Sequence, residues 1–132
     1  MSRLPLLATL ALLFLPACRT LDATGGERWV RTELYFGLTR SGGVAISSDA
    51  WNSFLDTAIT PRFPDGLTVL DGYGQYRSSA AAITREPMRL LVLLHHGGAS
   101  EVESIARIRL LYRAAFQQES VLEVTNPVSA SF

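Results

Sequence analysis

The stretch Thr60 to Arg77, T-P-R-F-P-D-G-L-T-V-L-D-G-Y-G-Q-Y-R, holds two prolines, three glycines, three aromatics and two aspartates. Pro61 ends whatever helix precedes it, because its ring removes a backbone donor and pushes Thr60 toward extended geometry. Pro64-Asp65-Gly66 is turn chemistry: proline presets φ, aspartate bonds back to the backbone, and glycine accepts a positive φ. Leu67 then opens a strand that runs to Arg77. Gly72 and Gly74 inside it point to a bulge or a close backbone approach. Pro61, Arg62, Pro64, Asp65 and Gly66 are therefore expected to form a structural loop between a helix and a strand. No known catalytic motif sits there.

Working upstream, Ser47 or Ser48 caps a helix with Asp49 in its first turn. Trp51, Phe54, Leu55, Ala58 and Ile59 recur along it at helical spacing. Before it, Trp29 to Leu38 alternates: Val30, Thr32, Leu34, Phe36 and Leu38 share one face, and Arg31, Glu33 and Tyr35 the other. Downstream, Ser78 to Ala82 reads as a small-residue connection. Met88 to His95 is a third strand with Leu90, Val92 and Leu94 on one face and Leu91 and Leu93 on the other. Such a strand belongs at the centre of a sheet. Ser100-Glu101-Val102-Glu103 reads as a capping box. The helix it opens buries Val102, Ile105, Ile108, Tyr112, Ala115 and Phe116. Val121 to Val124 is a fourth strand, followed by Asn126-Pro127 and a last extended piece, Val128 to Phe132.

The order βαββαβ predicts a ferredoxin-like α+β domain, a four-stranded antiparallel sheet with two helices on one face. In that arrangement the first and third strands are central. Leu90, Val92 and Leu94 are expected to face the helices with Val30, Leu34 and Phe36. Leu91 and Leu93 would then lie on the open face beside Arg31, Glu33 and Tyr35. An apolar strip there calls for a cover, either a second copy packed sheet to sheet or the segment Val128 to Phe132.

The first residues have a different character. Met1-Ser2-Arg3 is a positive start, Leu4 to Leu15 an apolar run, and Leu15-Pro16-Ala17-Cys18 a processing site, which together read as a secretory signal. The apolar run is too short for a membrane-spanning helix. Cys18 is the only cysteine, and its place after a small residue resembles the lipobox of a bacterial lipoprotein precursor. That resemblance implies acyl chains on Cys18, and Arg19 in place of aspartate implies the outer membrane. The chain thus divides into a signal at 1–17, a lipidated linker at 18–27 and one α+β domain at 28–132. A lone acylated cysteine leaves no disulfide, so stability rests on the core.

Charge narrows the partners. Lys+Arg total 12 and Asp+Glu total 12, every basic residue is arginine, and without Arg3 the mature chain is one unit negative. No basic tract is present to neutralise a phosphate backbone, so nucleic acid is excluded as a partner.

Glu33-Leu34-Tyr35-Phe36-Gly37-Leu38, Trp51 with Phe54-Leu55, and Thr60 to Val69 resemble a bacterial family classed as a domain of unknown function, numbered 3574. Asp71-Gly72, the Gly74-Gln75-aromatic step and Arg85-Glu86 extend the match, with Tyr76 where that family often has Trp. The resemblance brings no activity and no catalytic residues.

Few residues suggest chemistry. His95 and His96, adjacent in a strand, point to opposite faces and cannot readily chelate one metal; they read as a strand end entering a glycine turn, and neither metal nor cofactor is expected. Asp71 follows an apolar run, so partial burial and an arginine partner, Arg62, Arg77 or Arg85, are expected, most simply as a structural pair. No serine sits in a nucleophile elbow and no phosphate-binding loop is present. Two functions remain. One is a non-enzymatic binding or interaction module of the cell envelope, facing the periplasm, with a homodimer through the open face. The other is a small enzyme of the dimeric α/β-barrel type, with a pocket beside the sheet near Glu33, Tyr35, Asp71, Tyr73 and His95. A flat apolar sheet face favours the first, and converging polar groups in a deep pocket favour the second.

Overall fold

The alternation in Glu27–Gly37 produces the first strand, β1, whose inward residues Thr32, Leu34 and Phe36 are fully buried while their neighbours are not. A computed structural model describes residues 25–77 and 82–132. The signal, Cys18 and most of the 78–82 connection lie outside these residues. β1 is followed by helix α1, Ser48–Phe54, strand β2, Thr68–Arg77, strand β3, Ile83–His95, helix α2, Ala99–Phe116, and strand β4, Leu122–Ala130. The strands form one antiparallel sheet in the order β2-β3-β1-β4, with both helices on one face. This is the ferredoxin-like arrangement that the element order predicts.

Local chemistry sets the element ends. Ser47 caps α1, its Oγ accepting from the Ala50 N–H at 3.2 Å. α1 continues as a π-helical turn, Leu55–Ile59, closed by the Thr60 N–H on the Leu55 carbonyl at 2.9 Å. Pro61 then stops it, and Arg62 reaches back to the Ala58 carbonyl at 2.6 Å. α2 starts two residues earlier than the capping-box reading places it. Gly98 is the N-cap, and Glu101 accepts from the Gly98 N–H at 2.6 Å and the His96 N–H at 3.0 Å. A glycine cap brings no side-chain acceptor, so the reach-back of Glu101 alone satisfies these donors. Consistent with the shift, Val102 and Ala115 are exposed, and α2 buries Ile105, Ile108, Tyr112 and Phe116.

Three sheet features differ from the sequence reading. β3 starts at Ile83 rather than Met88, so β2 and β3 pair far beyond the end of β1 and project as a hairpin arm. The β2–β3 register is unbroken through Gly72 and Gly74, which therefore mark no bulge; at Gly72 an added Cβ would meet the Met88 sulfur at 3.1 Å. β4 runs straight through Asn126-Pro127, with Pro127 opposite Val30. An edge strand tolerates proline because one of its sides needs no ladder donor.

The faces of β3 are the reverse of expectation. Leu34 pairs with Leu91 and Thr32 with Leu93, so Leu91 and Leu93 point to the helices and are fully buried. Leu90, Val92 and Leu94 lie opposite Tyr35, Glu33 and Arg31 on the uncovered face. Both faces of β3 are apolar, so its own pattern could not choose between them; the register with β1 does. Arg89 shares the helix-side parity. Its guanidinium lies 5.1 Å from the Trp51 ring centroid, with Nε 2.8 Å from the Asp71 carboxylate.

The core lies between sheet and helices. Phe36, Trp51, Phe54, Tyr112 and Phe116 form an aromatic cluster of mostly edge-to-face pairs, the closest being Phe36–Tyr112 at 4.5 Å between centroids. Ile46, Phe63 and Val121 close its margins.

Candidate functional site

The five residues singled out as a candidate pocket fall into separate places. Glu33 and Tyr35 are on the open face, where the Tyr35 hydroxyl donates to Glu33 Oε2 at 2.6 Å and Arg31 Nε donates to Oε1 at 2.8 Å. The tyrosine hydrogen bond, then the arginine, hold the Glu33 carboxyl below its usual range. The same bond pushes the Tyr35 hydroxyl up. Asp71 is on the other face of edge strand β2 and is 82% exposed rather than partly buried; its partner is Arg89, not Arg62, Arg77 or Arg85. Tyr73 is exposed on the hairpin arm. The five do not converge on one space.

His95 is buried beneath α2. Its Nδ1 accepts from the Gly97 N–H at 3.1 Å, so Nε2 carries the proton and donates to Thr32 Oγ1 at 2.9 Å. Thr32 bonds Thr125 at 3.1 Å, and Thr125 donates to Glu123, which also accepts from Arg109 at 2.6 Å. The buried end of this polar chain, His95 and Thr32, is fully partnered, while Arg109 at the far end keeps its Nε buried without a partner among the described residues. The chain ties β1, β3, β4 and α2 together. His96 points away and stacks against Trp29, centroids 4.1 Å apart. Among the described residues, no group of three or more His, Cys, Asp or Glu could hold a metal.

The loop Pro61, Arg62, Pro64, Asp65 and Gly66 is structural in its contacts. It carries Phe63 into the core, edge-on to His95 at 6.2 Å. Gly66 has φ 143°, the positive φ its sequence implies. Asp65 and Gly66 border a small, mostly apolar hollow of about 330 Å³ with Trp29, Leu94 and Phe132.

Two larger features occupy the open face. One is an apolar strip of Met88, Leu90, Val92 and Leu94 on β3, flanked by Leu70 on β2; Leu122 and Val124 on β4 share the face but lie beyond the β1 row of Arg31, Glu33 and Tyr35. Leu70 is 50% exposed and Leu122 58%. Neither helix reaches this face, and Phe132 is 97% exposed rather than folded over it.

The other is an open polar cleft of about 570 Å³ between the hairpin arm and the body, lined among others by Tyr35, Gly37, Arg40, Glu86, Gln118 and Leu122. Gly37 is its floor. The Tyr112 hydroxyl holds the Gly37 carbonyl from the core side at 2.8 Å. A Cβ on Gly37 would lie 3.2 Å from Gln118 Oε1 and 3.3 Å from Glu86 Oε1. Of these residues sequence reasoning found only Tyr35 as a site. Gly37 and Glu86 appear in the stretches that carry the family resemblance, but nothing in their spacing tells that they meet.

The fold and its uncovered sheet define a ferredoxin-like α+β domain. Residues 31–132 match the family described as "Protein of unknown function (DUF3574)", and the chain belongs to that family. No curated protein matches the sequence. In fold the chain is similar to a phage SAM lyase in complex with S-methyl-5'-thioadenosine, with a TM-score of 0.55 and 16% identity over 83% of this chain and 95% of that one. A phage SAM lyase in the apo state gives 0.54 and 13%, over 78% and 90%. CutA from Synechococcus elongatus gives 0.50 and 10%, over 79% and 80%. At these identities the likeness is one of fold alone.

Proposed function

We propose that this protein is a non-enzymatic interaction module of the bacterial cell envelope, anchored by acyl chains on Cys18 in the outer membrane and facing the periplasm. It works through the open face of its sheet, on which a second copy packs. The observation that carries this reading is the strip of Leu70, Met88, Leu90 and Val92 on a face that neither helix covers. Four strands about 4.8 Å apart, each of about nine residues rising about 3.4 Å, present a plane of roughly 600 Å². Two such faces bury about 1,200 Å², above the roughly 1,000 Å² that a specific interface needs. Beside the strip, Arg31 and Glu33 neutralise each other. Self-packing over the strip leaves that pair neutral, and Glu86, unpaired among the described residues, lies beyond it on the hairpin arm.

Sedimentation of the chain expressed from residue 19 tests this. The wild type is expected as a dimer. Leu90→Glu puts a charge at the centre of the strip and is expected to give a folded monomer, with its far-UV circular dichroism unchanged. A wild type that stays monomeric at all accessible concentrations would sink the proposal. The enzyme alternative draws no support from Glu33, Asp71 and His95: Glu33 is on the open face, and the other two, on the helix side, sit apart on edge strand β2 and at the end of β3.

A further inference from the structure

The polar cleft holds two hydrogen-bond acceptors aimed at one empty point. The Gln118 amide is oriented by its own bond, Nε2 donating to the Thr39 carbonyl at 2.6 Å, which turns Oε1 toward Gly37. Glu86 projects from β3 on the same side of the sheet as Gly37, since its ladder neighbour Met88 is paired with Gly37. Its carboxylate is half-buried and has no hydrogen-bond or ion-pair partner among the described residues. Both oxygens stand within 3.3 Å of the position that a Gly37 side chain would take. The Gly37 backbone is in turn pinned by Tyr112. A half-buried carboxylate without a donor carries an unmet desolvation cost, and a cationic donor is the partner that meets it best.

The surroundings narrow the donor further. Arg40 and Arg85 line the same cleft. The Arg40 guanidinium lies over the Phe116 ring and is not neutralised by a carboxylate among the described residues, whereas Arg85 bonds Gln75 on the opposite face of the hairpin arm. Tyr76 and Leu122, 55% and 58% exposed, supply apolar wall. We propose that the cleft binds a small zwitterion, an amino acid or short peptide with both ends free. Its primary ammonium sits over Gly37 between Glu86 and Gln118, its carboxylate turns to Arg40, and its apolar side chain lies against Leu122 and Tyr76. Gly37 is then a ligand-contact position, because any side chain there fills the ammonium site. The inference stands apart from the sheet-face reading, for it needs no second copy.

Titration calorimetry of the full chain in detergent micelles, with leucine and leucyl-leucine as probes, tests it. At least one of the two is expected to bind. N-acetyl-leucyl-leucine, which lacks the ammonium, and leucyl-leucinamide, which lacks the carboxylate, are expected to bind about tenfold or more weakly. Glu86→Gln keeps the shape and removes the charge, so it is expected to weaken the probe by about tenfold or more, with an unchanged melting temperature without ligand. Gly37→Ala is expected to block binding, and its melting temperature reports whether the fold survives. The proposal is overturned if neither probe binds the wild type, if either blocked analogue binds as tightly as its parent, or if Glu86→Gln binds with wild-type affinity. The sheet-face reading fails only on sedimentation, so the two outcomes are separable.

Discussion

At the scale of single residues, the connection from α1 to β2 and the one from β3 to α2 carry distinct physics. Gly66 holds φ 143° with nothing within 4 Å of an added Cβ, so the constraint there is conformation and not space. Gly66→Val is expected to cost roughly 1–3 kcal/mol through the forced positive φ, read as a lower urea midpoint. An unchanged midpoint would mean that the turn relaxes without cost. Glu101 illustrates a charge effect. Desolvation raises its pKa, but the N–H groups of Gly98 and His96 outweigh this and hold it below its usual 4.5. Its folded value is depressed, so its contribution is complete above pH 4.5 and is lost as pH falls through the folded value. Glu101→Gln is expected to destabilise by about 1 kcal/mol at neutral pH, since it weakens a helix cap. The gap between wild type and variant is expected to narrow below pH 4.5. A constant gap across urea melts at both pH values would show that the charge of Glu101 has no part in the cap.

At the scale of elements, β3 decides the architecture, and adjacent leucines on it have opposite fates. Leu93 is fully buried against the helices, whereas Leu94 is 39% exposed opposite Arg31. Leu93→Glu is expected to unfold the domain, because an unpaired buried charge costs more than a domain of this size can bear. Leu94→Glu is expected to leave it folded beside Arg31. Thermal melts of the two variants check this, and equal melting temperatures would refute the face assignment. The strand β1 was legible from its sequence because Thr32, Leu34 and Phe36 alternate with polar neighbours. For β3 only its existence was legible, since an apolar residue at every step carries no parity. The reach of β3 back to Ile83 was missed because Arg85, Glu86 and Pro87 break any apolar pattern. There the ladder with β2 supplies what side-chain burial does not.

At the scale of the whole molecule, the proposed anchor and the open face bear on each other. On the proposed reading, a domain held at the membrane by Cys18 would meet other copies in two dimensions, which raises their effective concentration. Cys18→Ala is expected to release the protein from the membrane fraction, and equal distribution of wild type and variant on fractionation would show that Cys18 carries no anchor. No helix among the described residues is long and apolar enough to cross a membrane.

What the sequence determined alone is everything that rests on neighbours along the chain. The order βαββαβ, the Ser47 cap, the stop at Pro61, the positive φ at Gly66 and the family resemblance are all local patterns of a few residues. What only the tertiary structure decided rests on residues far apart in the chain. The pairing of Leu34 with Leu91 set which face of β3 is buried. The approach of Arg89 to Asp71 and Trp51 gave each its partner. The meeting of Gly37, Glu86 and Gln118 made the cleft. The physical reason is register: each of these contacts depends on how one strand or loop slides against another. A one-residue slip would preserve every local pattern while turning each of these side chains to the opposite face.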